Sequence, residues 1–352
     1  MTAHHPTPSS SDVHAPIQAA VAGEALIDLI RSEDGRYLPC LGGALYNLSR
    51  ALSRQGVGTQ YLNPLSRDRF GRELAAQLAA DGVQLALPSP VQAVTSLAVV
   101  NLDAHGHPDY AFYRDGVADR AVSADGLGEA CNGLPALQLV CSGALALDAR
   151  DTERYHPWLK AQRAAGRCVV VDANLRPSVM PDLTAYRVAV HAALAYAHVI
   201  KVSDEDLEHL GVPGTDVLDR ARWLLEDNPT AQLLALTLGA EGAWLLHRNG
   251  ASCFAKEAEA LQVVDTVGAG DSFLAGLLAH LLGQAPADES GPRGPANGFV
   301  ESLAALSPTA CDQALRHALA SASLCVQEQG CVPPSWEAAR AWALAHPAVS
   351  SR

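Results

Sequence analysis

An aspartate stands directly behind Gly-Ala-Gly in the run Val-Val-Asp-Thr-Val-Gly-Ala-Gly-Asp-Ser-Phe-Leu-Ala-Gly-Leu-Leu, Val263 to Leu278 of a 352-residue chain. The pattern predicts a β-branched strand ending at Val264, a turn opened by Asp265 and Thr266, and an amphipathic helix from Ser272 onward. Gly268, Ala269 and Gly270 are small enough for backbone N–H groups to approach an anion. The mouth of a helix adds free amides and a dipole that favours negative charge. Such a turn can hold a phosphate or a developing phosphoryl charge. It is not a Walker loop, because no Gly-Lys-Ser/Thr follows, nor a dinucleotide fingerprint, because Phe273 replaces the third glycine. Asp271 would repel a phosphate bound at those amides. It makes sense on the other reactant, accepting the proton of a hydroxyl that attacks phosphorus. The plainer alternative is a helix-capping acid.

The elements that must position this turn follow from hydrophobic periodicity. Ala19 to Ile30 reads as a strand running into Gly23 and then a second apolar stretch. A helix spans Ala44 to Gln55 and ends at Gly56; a strand and a second helix, closed by Gly82, follow. Strand patterns recur at 136–143, 167–174, 197–203, 233–239, 243–248 and 253–258, with helices between several of them. The last two form a hairpin at a sheet edge. Alternation of this kind predicts βαβ units and a mainly parallel sheet. Between Ala93 and Arg114 two strand runs meet at Ala-His-Gly-His, a hairpin that interrupts the alternation. It is read as part of a small β lid, with a further strand from Arg31 to Cys40. Residues 1–18 read as a disordered tail, 19–340 as one domain with lid segments near 28–41 and 93–116, and 283–298 as a mobile surface loop. Two helices finish the chain.

Composition narrows the function classes. Hydrophobic residues make up 49 % and aromatics 5 %, which suits helices of Ala and Leu packed on a Val-rich sheet. A net charge of -13 argues against nucleic acid or an anionic membrane as partner. No run is long and apolar enough to predict a membrane span, and the start has no secretory signature. Eight scattered cysteines without a Cys-x-x-Cys pair read as reduced thiols of a cytoplasmic protein. His4 and His5, and His105 with His107, lack Cys or carboxylate partners at metal-ligand spacing and read as solvated.

Asp-Thr-Val-Gly-Ala-Gly-Asp resembles the C-terminal signature of the ribokinase-like (PfkB-type) carbohydrate kinases. Gly42-Gly43-Ala-Leu-Tyr-Asn47 resembles their N-terminal one, in the right order and more than two hundred residues upstream. The resemblance covers roughly Ala20 to Pro334. It implies a three-layer α/β/α fold with a mainly parallel central sheet and a β lid. It also implies roles for single residues. Asp28, Gly43 and Asn47 would bind sugar hydroxyls, and Arg114 would reach a sugar oxygen or a carboxylate from the lid. Arg176, in Asp-Ala-Asn-Leu-Arg-Pro, would sit near the transferred phosphoryl group. Lys201, Thr237, Gly239, Gly242 and the Gly268–Gly270 turn would face the nucleotide, and Asp271 would be the base. Ser203 and Asp206 stand where the family has Asn and Glu; Ser203 would bond a phosphate and Asp206 would order the water shell of a magnesium ion. Leu319 and Cys331 replace Asn and Ala on the adenine side.

The implied activity is ATP-dependent phosphorylation of a primary hydroxyl of a small sugar, with Mg²⁺. Asp265 marks a candidate site for a monovalent cation such as K⁺. The combined motifs look most like bacterial fructokinases; 2-keto-3-deoxygluconate kinase shares several of them. A reading of another class is a catalytically weak sugar- or nucleotide-binding regulatory relative. Lid strands in this family often pair between subunits, which implies a homodimer.

Overall fold

The computed structural model describes residues 15–32, 34–102, 108–283 and 297–351. The first strand, β1 (Ala19–Val21), leads into β2 (Leu26–Arg31), β3 (Tyr37–Gly42) and α1 (Ala44–Arg54). Then come β4 (Thr59–Tyr61), α2 (Arg69–Ala80), β5 (Gln84–Leu85), β6 (Ser96–Leu102) and β7 (Pro108–Tyr113). The middle of the chain alternates: α3 (Ala124–Asn132), β8 (Leu139–Gly143), α4 (Thr152–Ala164), β9 (Cys168–Asp172), α5 (Leu183–Leu194), β10 (Val199–Ser203), α6 (Asp204–Leu210) and α7 (Val217–Asp227). Next are β11 (Leu233–Thr237), β12 (Ala243–His247), β13 (Ser252–Lys256) and α8 (Ala269–Gly283). The chain closes with α9 (Asn297–Ala304), α10 (Pro308–Cys325), α11 (Trp336–Ala345) and β14 (Val349–Ser351).

Ten strands form one sheet in the order β14-β13-β12-β11-β10-β9-β8-β1-β4-β5. From β5 to β11 every pairing is parallel; β12, β13 and β14 are added antiparallel. The central strands are buried and apolar except toward their C-terminal ends, as parallel strands covered on both faces require. Leu127, Trp158, Tyr186, Val190, Leu207 and Leu224, from α3 to α7, pack one face. Leu45, Leu48, Phe273, Leu277, Phe299 and Leu315, from α1 and α8 to α10, pack the other. The expected three layers are therefore present. A second sheet, β3-β2-β6-β7, is the lid, and it joins α1 and α2 through Ile27, Tyr46, Leu74 and Leu78.

Several local expectations change. Ile17 is buried and the Gln18 amide donates to Gly58 O at 2.7 Å, so these two residues before Ala19 are packed onto the sheet. Val263 and Val264 are in no strand and are 57 % and 56 % exposed; two valines without a paired neighbour strand have no ladder to join. The helix begins at Ala269, three residues earlier than read, so Asp271 lies in its first turn. It is also buried nearly all round, lying between α1, α10 and the sheet, rather than amphipathic. Three helices follow it, and β14 covers the edge at β13 from beyond residue 340. The short, polar β14 carries too little β signal to be read from sequence. The stretches 1–14, 103–107 and 284–296, which include the four paired histidines, most of the expected tail and most of the surface loop, lie outside the described residues.

Candidate active site

The expected site residues collect where parallel strands end, which is where open α/β sheets bind ligands. Asp172 closes β9 and Lys201 is its register partner on β10. Ser203 and Thr237 are register partners at the ends of β10 and β11. The link from β1 to β2 passes the same edge, and α8 points its N-terminus at it.

Asp271 is the centre of the arrangement. It is 7 % exposed, and Asn47 of α1 donates from Nδ2 to its Oδ2 at 3.1 Å. Burial raises the acid to about 7; the Asp172 charge adds to this, while Lys201, the Asn47 hydrogen bond and Arg176 oppose it. An acid poised near neutrality is suited to accept a proton at working pH. The capping alternative fails on position: Asp271 is inside the first turn, not at the cap.

Lys201 Nζ lies 3.1 Å from Asp172 Oδ1. Burial pulls the ammonium down, but Asp172, Asp206 and Asp271 more than offset this, so Lys201 stays charged. Asp172 is raised by burial and by Asp206, against the pull of Lys201. A Cβ on Gly270 would meet Lys201 Nζ at 3.2 Å, so the glycine lets the cation lie against the bare turn. Gly268 has φ +77°, and a Cβ there would collide with Cys331 Sγ. A small-residue turn, a helix head and a buried ammonium thus lie side by side, a set that fits a nucleotide phosphate.

The sugar-side residues come from the lid hinge. Asp28 Oδ2 fills the space over Gly42, so that neighbour of Gly43 tolerates no side chain. Burial pushes Asp28 up to about 6, with Arg176 opposing. Gly43 enters α1 with φ +108°, and a Cβ there would stand 2.5 Å from Glu24 O. Arg176 bonds the Asn174 and Leu175 carbonyls and is close enough to Asp28, Asp172 and Asp271 to lower all three.

Arg114 is 6 % exposed, which excludes the solvated turn cation that its type and setting also allow. It lies 3.8 Å from Asp148 and 4.0 Å from Asp151 and borders a cleft of about 340 Å³ with Phe112, Asp115, Arg150 and Met180. Arg120, Arg150 and Arg154 are likewise paired with Asp115, Asp148 or Asp151. The Arg114 and Arg120 charges also act on Asp119, so the four arginines on this side face four carboxylates.

Four of the residues singled out in the sequence also have partners within the fold. Ser203 and Asp206 form a capping box on α6: Ser203 Oγ accepts from Asp206 N at 3.0 Å, and Asp206 Oδ2 accepts from Ser203 N at 2.8 Å. Asp206 Oδ1 accepts from Leu175 N at 2.7 Å, so this acid anchors the loop that carries Arg176. Asp265 accepts from Val267 N at 3.0 Å and Gly330 N at 2.9 Å, tying two loops together. Leu319 is 8 % exposed in the core that α8 shares, so it packs rather than meets a base. Thr237 Oγ1 donates to Val202 O at 3.4 Å, and Gly239 and Gly242 turn with φ +54° and +101° beside it.

Asp172 and Glu24 were missed by the sequence reading. Asp172 carried a signal, as the first residue of Asp-Ala-Asn-Leu-Arg. Glu24 carried none, as a single acid after Gly23 between two apolar runs.

Comparison with known proteins agrees with this geometry. The family model described as pfkB family carbohydrate kinase matches residues 17–338. A fructokinase of Rhizobium leguminosarum bv. trifolii is 32 % identical over 74 % of this chain and 78 % of its own length. A fructokinase of Klebsiella pneumoniae is 32 % identical over 82 % of this chain and 88 % of its own. The crystal structure of fructokinase from Xylella fastidiosa with bound ATP superposes with a TM-score of 0.77 at 26 % identity, covering 93 % of this chain and 98 % of that one.

Proposed function

The chain belongs to the pfkB family of carbohydrate kinases, and we propose that it is an ATP-dependent fructokinase whose base is Asp271. The observation that carries the mechanism is the buried constellation of Asp271, Asn47, Lys201 and the Gly268–Gly270 turn. Asp271 takes the proton of the attacking primary hydroxyl while Asn47 holds the carboxylate in place. The turn amides, Lys201 and Arg176 neutralise charge on the phosphoryl group as it moves. Asp28, Gly43 and Asn47 face the sugar; Ser203, Thr237, Gly239 and Gly242 line the nucleotide side, the first through its place at the strand end. Among the described residues no three His, Cys, Asp or Glu side chains gather to hold a metal by themselves. A magnesium ion carried by nucleotide phosphates needs only one or two protein carboxylates, and Asp172, a buried carboxylate whose Oδ1 faces the Lys201 ammonium at 3.1 Å, would be one of them. When bound, magnesium screens the phosphate oxygens.

Two observations support fructose over a sugar acid. The curated relatives above are fructokinases. Arg114 and its three neighbouring arginines are matched by Asp115, Asp119, Asp148 and Asp151, so a substrate carboxylate would add a further negative charge there without a spare cation. The compensated arginine suits neutral hydroxyls. The regulatory reading loses its motive, because Ser203 and Asp206 are a working structural pair. All eight cysteines are free, which fits a cytoplasmic site of action. The homodimer belongs to the same proposal: Leu38 and Tyr113, on the lid's two edge strands, are 50 % and 62 % exposed. So does K⁺ activation at the Asp265 turn, read by exchanging K⁺ for tetramethylammonium.

The deciding experiment is turnover of purified protein with ATP, Mg²⁺ and fructose, ketodeoxygluconate, ribose or a nucleoside. Fructose should give the highest kcat/KM. Preference for ketodeoxygluconate would overturn the charge-compensation argument, and no turnover of any sugar would overturn the kinase reading.

A further inference from the structure

The head of α1 has no cap of its own, because Gly43 offers it no side-chain acceptor. Glu24 supplies one from the link between β1 and β2. Its Oε1 accepts from Ala44 N at 3.0 Å, and its backbone carbonyl accepts from Tyr46 N at 3.3 Å. The same carbonyl is the group that a Cβ on Gly43 would strike. The link itself is fixed: Gly23 N donates to Asn63 Oδ1 at 2.9 Å, and Tyr61 OH donates to Gly23 O at 2.7 Å. Glu24 is 3 % exposed, and its Oε2 has no hydrogen-bond partner among the described residues.

One turn along α1, Asn47 N donates to Gly43 O at 2.9 Å and its side chain donates to Asp271. Asn47 Oδ1 has no partner among the described residues, so the bond to Asp271 is the side chain's only tether there. The place of that amide therefore depends on where the head of α1 is held. We propose that Glu24, as the cap of α1, is a positioning residue for phosphoryl transfer: it sets Asn47 and, through Asn47, the orientation and basicity of Asp271. The inference rests on Asp271 as the base argued above. Burial pushes Glu24 up to about 8 against the pull of Arg114, so near neutrality it caps as an uncharged acid, a task a glutamine can perform. Asp119 is the other charge that acts on Glu24. Asp271 is faced by Asp172 of β9, Lys201 of β10, Arg176 of the following loop and Cys331 of the loop before α11. None of these changes in the test.

The test compares Glu24→Ala and Glu24→Gln with wild type in pH profiles of kcat on fructose, with KM for ATP alongside. Glu24→Ala should lower kcat about tenfold or more and move the acid limb up by about half a pH unit, because the Asn47 bond that lowers Asp271 is loosened. Glu24→Gln should keep kcat within about threefold and leave the limb in place. KM for ATP should stay unchanged in both. An unmoved limb in Glu24→Ala, or a Glu24→Gln as impaired as Glu24→Ala, overturns the proposal. If Glu24→Ala does not fold, Glu24→Asp carries the test. It draws the cap back by one methylene and must show the same upward shift; a wild-type limb in that variant overturns the proposal. Absence of turnover in wild type would instead refute the kinase reading, so the two failures are distinguishable.

Discussion

Replacing Asp271 by Asn should slow the enzyme and stabilise the protein, the second effect growing with pH. The fold raises this acid from the ordinary 3.8 to about 7. Between those values the folded protein keeps a proton that the unfolded chain has released. Stability is therefore fully present below the unfolded pKa and is lost as pH rises through the folded one. At about 1.4 kcal/mol per unit, the buried charge costs the fold about 2 kcal/mol at about pH 5.5 and about 4 kcal/mol at about pH 8. An asparagine is never charged and can still accept from Asn47 Nδ2. Its own pH-independent effects cancel when the two conditions are subtracted. Urea unfolding of wild type and Asp271→Asn should thus show the variant gaining about 2 kcal/mol more at about pH 8 than at about pH 5.5. Turnover on ATP and fructose should fall by about 10²–10⁴. A stability gain equal at both pH values would refute the buried-charge argument. Turnover within about threefold of wild type would refute Asp271 as base.

Other expectations follow from the same geometry. In wild type, kcat/KM for fructose should rise with unit slope and level off above about pH 7, because Asp271 accepts a proton only when ionised; a flat profile from pH 5 to 8 would contradict it. Lys201→Met removes the cation that opposes the charges of Asp172 and Asp271, so the acid limb should move up, KM for ATP should rise, and unfolding should cost about 3–5 kcal/mol less. Gly268→Ala drives a Cβ into Cys331 Sγ at a positive φ and should raise KM for ATP; adding Cys331→Ala should recover only part of the loss, because the Cβ of residue 331 still stands 2.8 Å away and the φ is unchanged. Leu38→Asp should shift the dimer expected in light scattering toward monomer while leaving the Lys201–Asp172 pair intact.

Much of the scaffold was legible from local residue types. The Val-rich runs that became β8 to β10, the lid hairpin, and the Gly268–Gly270 turn each depend on what stands within a few positions. A β-branched apolar run needs covering on both faces, and small residues before a helix leave its amides open, wherever the chain folds. Asp271 could be singled out because a carboxylate beside an anion-binding turn asks for a proton to take. Local pattern failed where the outcome depended on a distant partner. Val263 and Val264 have strand-forming side chains but no neighbouring strand. The polar β14 became a strand because β13 offered it an open edge.

The chemistry was decided at long range. Asn47 meets Asp271 across 224 positions of sequence, and Lys201 meets Asp172 across 29. Ser203 and Asp206 cap α6 together, and Leu175 N, from another loop, takes up the second oxygen of the acid. The sequence by itself determined which residue types could hold a phosphate and accept a proton. Only the tertiary structure decided that Asp271 is poised near neutrality, that Arg114 is already compensated, and that Glu24 caps the helix bearing Asn47. Those properties come from burial and from charges brought close by folding, and neither is carried by any short stretch of chain.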